Sequence, residues 1–150
     1  EIENKPKVVV RAALDEEIFM KDRFKKGQHW HTIEGAYYFR KGDYHYILYS
    51  GNCFNSENYY IGYSVAKGNT DNLLDLDFKK YPNDNLYHPL LRKNEFEEGT
   101  GHNSMIIENG HYYLIYHGRD YDTFTKNKDV RTARICEISV DKEKLEVIKR

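Results

Sequence analysis

Tyr46-Ile47-Leu48-Tyr49-Ser50-Gly51 and Tyr113-Leu114-Ile115-Tyr116-His117-Gly118 are near copies of each other, set 67 residues apart. Each reads as the returning arm of a β-hairpin. In the first, residues 36–40 form the outgoing strand, Lys41-Gly42-Asp43 the turn and residues 44–50 the return. In the second, residues 105–108 lead into Asn109-Gly110 and residues 111–117 come back. Asn-Gly between alternating apolar residues is the strongest short-range hairpin signal, because both residues tolerate the left-handed backbone of a two-residue turn. A further strand is expected after each hairpin, over residues 59–66 and 131–140, with residues 144–149 pairing onto the latter. Four antiparallel strands repeated in this way are the blade of a β-propeller. The expected fold is therefore all-β, with about two blades, over residues 30–85 and 99–150, in a single partial propeller domain spanning 1–150. Residues 7–13 are read as part of a third blade, and residues 69–81 as polar linker or outer strand with at most a short helical turn.

The composition agrees with many short, half-wet strands. Fourteen Tyr stand beside seven Phe and one Trp in 150 residues, and aromatic rings with a polar tip suit a sheet that partly faces water. Lys plus Arg number 23 against 24 for Asp plus Glu, so a net charge of -1 provides no general field for phosphate backbones or anionic lipid. Neither nucleic acid nor membrane is an expected partner. No apolar run approaches the ~18 residues of a membrane span and no signal peptide opens the chain, so a cytoplasmic location is expected. Cys53 and Cys136 are too few for a disulfide framework and are read as free buried thiols. The chain opens at Glu1 without Met and holds too few blades to close a ring, since propellers have about 4 to 8. It is therefore expected to be part of something longer, its open blade faces covered by missing N-terminal blades or by another copy of the chain.

Signatures of nucleophile elbows, phosphate loops and zinc-protease helices are missing from the sequence. Two segments remain, each just ahead of a repeat hairpin: His29-Trp30-His31-Thr32-Ile33-Glu34-Gly35 and Gly99-Thr100-Gly101-His102-Asn103-Ser104. Inner strands of all blades run the same way along a propeller axis, so residues at their starts converge on one mouth of the channel. Glu34 and His102 are expected neighbours. Ile33 and Tyr37-Tyr38 give Glu34 the apolar setting a general acid needs to keep its proton, against the ordinary reading of a surface-strand glutamate. His102, among glycines and small polar residues, suits contact with a substrate, against the ordinary reading of a turn histidine. A weaker reading makes His29, His31 and Glu34 a zinc site.

With these residues in view, Glu34-Gly35-Ala36-Tyr37 followed by residues 41–51 resembles the general-acid blade of glycoside hydrolase family 43. Residues 99–104, with residues 113–119 behind them, resemble that family's next blade. The resemblance runs from about residue 29 to 134. It implies a five-bladed propeller and an inverting glycosidase, of the arabinofuranosidase or xylosidase type, acting on arabinose- and xylose-containing glycans with three carboxylates: a base, an acid and one that orients the acid. Carried over, it makes Glu34 the general acid and His102 the axial histidine that faces a calcium ion or the base in the channel. It makes Arg131 a sugar-binding residue, in competition with Arg134, and places Trp30 and His31 on the pocket wall. Ala36 stands where the family usually has Pro, and the blades that carry the base and the orienting Asp have no counterpart here. The chain alone is accordingly expected to be inactive. The alternative is a non-catalytic carbohydrate-binding or scaffold module.

Overall fold

The computed structural model describes residues 6–123 and 130–150. Two four-stranded antiparallel sheets dominate it. The first contains β3 (Ile33–Lys41), β4 (Tyr44–Gly51), β5 (Tyr60–Lys67) and β6 (Lys79–Lys80); the second contains β7 (Glu97–Glu108), β8 (His111–Asp120), β9 (Thr132–Asp141) and β10 (Lys144–Lys149). A small antiparallel pair, β1 (Ile18–Met20) and β2 (Trp30–His31), precedes them. In both large sheets the strands lie in chain order, the meander expected of a blade. Asn109 and Gly110, both with positive φ, form the two-residue turn between β7 and β8. Residues 69–81 hold one short helical turn, Leu73–Asp75, and the edge strand β6.

The sheets face each other across one core. Tyr46 and Leu48 of β4, Ile61 and Tyr63 of β5, Met105 of β7, Leu114 and Tyr116 of β8, and Cys136, Ile138 and Val140 of β9 fill it. Alternate residues of each strand point away from it, as a two-residue period demands. Both cysteines are free and buried, and burial, followed by the charge of Glu97, pushes the Cys136 thiol up to about 12.

The outward faces differ. On the first sheet Ile47 and Ala66 are covered by Leu76 and Phe78, with Val9 and Val10 packed beside them. Residues 7–13 therefore contribute no strand, contrary to the expectation of a third blade: the valine-rich run is an irregular cover for β4 and β5. Only one of the two blade faces expected to lie open is left so. On the second sheet Ile106, Ile135 and Ile148 are 47–58% exposed, and this face has no cover among the described residues.

The N-terminal segment is anchored by one buried carboxylate. Glu17, with no exposed surface, accepts hydrogen bonds from the amides of Ala13 (2.7 Å) and Leu14 (2.9 Å) and from the Tyr60 hydroxyl (3.1 Å), and pairs with the equally buried ammonium of Lys80. Burial pushes the Tyr60 and Tyr49 phenols up, and the Glu17 charge pushes further in the same direction. Removing one member of such a pair strands the other charge out of water, which costs about 3–5 kcal/mol. Lys80→Met is expected to lower stability by about that amount, read from the urea midpoint with an unchanged m-value. A variant as stable as the parent would show that the two amides and Tyr60 suffice to hold Glu17.

Candidate functional site

Glu34 is the second residue of β3 and lies opposite Ser50 of β4. The next paired residue on β3 is Tyr37, opposite Leu48, so three steps on one strand are matched by two on the other. This is a β-bulge, which turns the strand and re-aims its side chains. β7 repeats it: Gly101 lies opposite His117 and Ser104 opposite Ile115. The bulges occupy equivalent places in the 67-residue repeat, and each holds a left-handed residue at its second position, Gly35 (φ +62°) and His102 (φ +53°). Residues 99–104 thus lie within the first strand of their sheet, where a position just ahead of it was expected.

The two left-handed residues meet. A Cβ on Gly35 would lie 3.4 Å from His102 Cα, and the His102 amide donates to Ser50 Oγ at 2.7 Å. Left-handed backbone is uncommon outside glycine, though histidine is among the residues enriched there. Glu34 and His102 are therefore on adjoining residues of neighbouring blades. Glu34 is half-buried, and the His102 ring is exposed, with the His117 ring edge-on to it at 6.2 Å.

Tyr59, which no sequence motif singles out, completes the arrangement. Its hydroxyl donates to Glu34 Oε1 at 2.6 Å, and the residue has no exposed surface. The Tyr59 carbonyl accepts from the Thr100 hydroxyl at 3.3 Å, and the ring lies so close to Gly101 that any side chain there would overlap it. Burial above all, then the hydrogen bond to Glu34, pushes the phenol up; the Ser50 hydroxyl and the charge of Arg131 pull it the other way. Tyr59 is consequently a hydrogen-bond donor throughout the neutral range. The Arg131 guanidinium is 5.6 Å from the Tyr59 ring and 5.9 Å from the Phe54 ring. Arg134 is engaged elsewhere, by Asp120 at 2.7 Å and Glu97 at 3.5 Å, which leaves Arg131 as the arginine beside Glu34's partner.

The upstream residues are placed differently. Trp30 is 40% exposed, packs edge-on to Phe19 and carries the Arg23 guanidinium 3.4 Å above its ring. His31, half-buried, is paired with Ile18 in the small sheet. His29 accepts the Asp22 amide at 3.1 Å, within the 22–29 turn, so the zinc reading loses its first ligand. Among the described residues no three His, Cys, Asp or Glu side chains gather to hold a metal. Calcium takes six to eight oxygen ligands, and His102 brings a nitrogen with another histidine as its ring neighbour. The residues of this chain do not fit a calcium site by themselves, and no role here is routed through one. A cavity of about 500 Å³ lies elsewhere, lined by Asp15, Lys21, Asn52, Tyr87 and Arg92 among others.

No family sequence model matches the chain, and no curated protein matches it. Solved structures do. The chain is similar to a thermostable family-43 glycoside hydrolase at 24% identity and a TM-score of 0.71, over 98% of this chain and 43% of that one. An exo-1,5-alpha-L-arabinanase from a bovine ruminal metagenomic library aligns at 17% identity and 0.70, over 99% and 46%. An alpha-L-arabinofuranosidase from Lactobacillus brevis aligns at 22% and 0.66, over 93% and 40%. At these identities the likeness is one of fold: two adjoining blades of a family-43-like β-propeller. The chain spans less than half the length of the structures it matches.

Gly101→Ala is expected to displace Tyr59 from Glu34, because the ring is held between strands and has nowhere to retreat. Overpacking of this kind costs about 1–3 kcal/mol, read from the thermal midpoint. Equal midpoints for Gly101→Ala and the parent would contradict the close packing of Tyr59 on β7.

Proposed function

We propose that this chain is the acid-bearing part of an inverting glycoside hydrolase acting on arabinose- or xylose-containing glycans, with Glu34 as the general acid. The observation that carries the reading is the setting of the Glu34 carboxyl. It stands at a bulge shared by two adjoining blades, and among the described residues its only hydrogen bond is the one that Tyr59 donates to Oε1. Oε2 is left to carry a proton toward the oxygen of a glycosidic bond. The family-43-like fold, with an arabinanase and an arabinofuranosidase among the similar structures, supports a glycan as the substrate.

In this reading Glu34 protonates the departing sugar oxygen as the bond breaks, while water attacks from the opposite face of the ring. Inversion needs a second carboxylate about 6.5–9.5 Å away to activate that water. The base and the orienting carboxylate come from blades other than these two, supplied by the rest of a longer protein or by another copy. Their docking surface is the uncovered face of the second sheet, where Ile106, Ile135 and Ile148 stand exposed. Arg131, whose Nε and Nη2 are buried without a hydrogen-bond partner among the described residues, is the arginine assigned to a sugar hydroxyl in this reading. His102 holds the rim of the site, and Trp30 and His31 are assigned to its wall on the family resemblance alone.

The test is Glu34→Gln in the full-length gene product, assayed on an unactivated xylo- or arabino-oligosaccharide and on nitrophenyl glycosides. General acid catalysis contributes about 10²- to 10⁴-fold, so the oligosaccharide rate should fall by that order. The nitrophenyl substrates, whose leaving group needs little protonation, should lose much less. A general acid works only while protonated, so activity falls as pH rises through its ionisation; the substitution should remove that alkaline limb. The present chain alone should be inactive, and activity that rises with its concentration would assign the missing blades to a second copy. Equal losses on both substrates with an unchanged pH profile would make Glu34 a binding or structural residue.

A further inference from the structure

We infer that Tyr59 is a positioning residue for the proposed acid: by donating to Glu34 Oε1 it fixes which carboxyl oxygen carries the transferable proton, and it favours the carboxylate left after transfer. This rests on Glu34 being the general acid. A protonated carboxyl has one carbonyl oxygen that only accepts and one hydroxyl oxygen that donates. The phenol is a donor aimed at Oε1 from 2.6 Å. Oε1 is then the accepting oxygen, and the proton is confined to Oε2. Once that proton has gone to the leaving group, the same hydrogen bond becomes charge-assisted and stronger, so Tyr59 stabilises a state that develops during the reaction.

The surroundings hold the phenol to this task. Tyr59 begins where the loop from β4 enters β5, and β7 closes over it. Thr100 bonds its carbonyl, and Gly101 leaves room for its ring and nothing more. Among the described residues the groups that face the pair are Ser50 from β4, Arg131 just ahead of β9, and His102 of β7 behind Gly35, with His117 of β8 beyond it. The Arg131 charge lowers the phenol's pKa, and burial, the larger influence, still keeps Tyr59 protonated. The ring cannot swing away to serve as acid or nucleophile itself, so its effect on the chemistry passes through Glu34.

Tyr59→Phe removes one oxygen and keeps the ring against Gly101. In the full-length product it should lower kcat on the unactivated oligosaccharide about tenfold, the size of one well-placed hydrogen bond, with KM unchanged and the nitrophenyl rate nearly so. The alkaline limb should move to higher pH, because the bond that favours the ionised carboxylate is gone. In the Glu34→Gln background the same substitution should add little further loss, since there is no proton left to place. A second measurement needs no activity. In the present chain with ¹³C-labelled tyrosine, the Tyr59 Cζ resonance, assigned by its loss in Tyr59→Phe, should move with pH and stop doing so in Glu34→Gln. If Glu34→Gln behaves as a missing general acid while Tyr59→Phe has the wild-type rate and pH profile, the inference on Tyr59 fails and the functional reading stands. If Glu34→Gln slows all substrates alike, the functional reading fails, and the Cζ titration reports on the hydrogen bond alone. A Cζ resonance indifferent to Glu34 overturns the contact itself.

Discussion

The contact between Gly35 and His102 governs this molecule. Both residues are left-handed, both sit at the second position of a bulge, and a Cβ on one would touch the backbone of the other. Bulges interrupt a ladder and strengthen its twist. Placed at the same point of two repeats, they let the first strands of neighbouring blades approach backbone to backbone, and Ser50 ties the approach by accepting the His102 amide. Had Gly35 been any other residue, its side chain would stand between the blades in a backbone conformation that L-residues rarely adopt. Glu34 precedes that glycine, and its carboxyl is aimed by the turn the bulge imposes.

Much of this was legible in the sequence, and the reasons differ from residue to residue. Asn109-Gly110 and the alternation on either side of it declare a hairpin through local backbone preference alone, and the structure has that turn. The 67-residue repeat was visible in the returning strands because both carry the same run of ring and aliphatic residues, although Tyr46 and Leu48 line the core between the sheets and their counterparts Tyr113 and Ile115 do not. It extends further than the matching letters: residues 34–37 and 101–104 share no sequence yet make the same bulge in the same register. Backbone geometry is repeated there without its side chains, which letter matching cannot find.

Tyr59 was missed because its role depends on a strand 41 residues away. Gly101 was the available signal, since a glycine inside a strand often marks close approach by something else, and here that something is the Tyr59 ring. The valines near residue 9 misled for the opposite reason. β-Branched residues suit a strand, but they equally suit an irregular segment lying over Ile47, and tertiary burial decided between them. Glu17 and Lys80, 63 residues apart, carry no pattern at all that would pair them.

The architecture is also compatible with two blades that are well packed and, in the proposed reading, catalytically incomplete. The first sheet is covered on both faces by this chain, the second on one, and Glu34 stands where the two meet. In the proposed reading the proton donor is built from within, and the water-activating side of the reaction is left to blades beyond the exposed face. The most direct measurement is the anomeric configuration of the first sugar released by the full-length product, followed by proton NMR before mutarotation. An acid on these blades working with a base on others, across a gap wide enough for water, predicts an inverted anomer. A retained anomer would place a nucleophile within direct reach of the sugar and contradict the account.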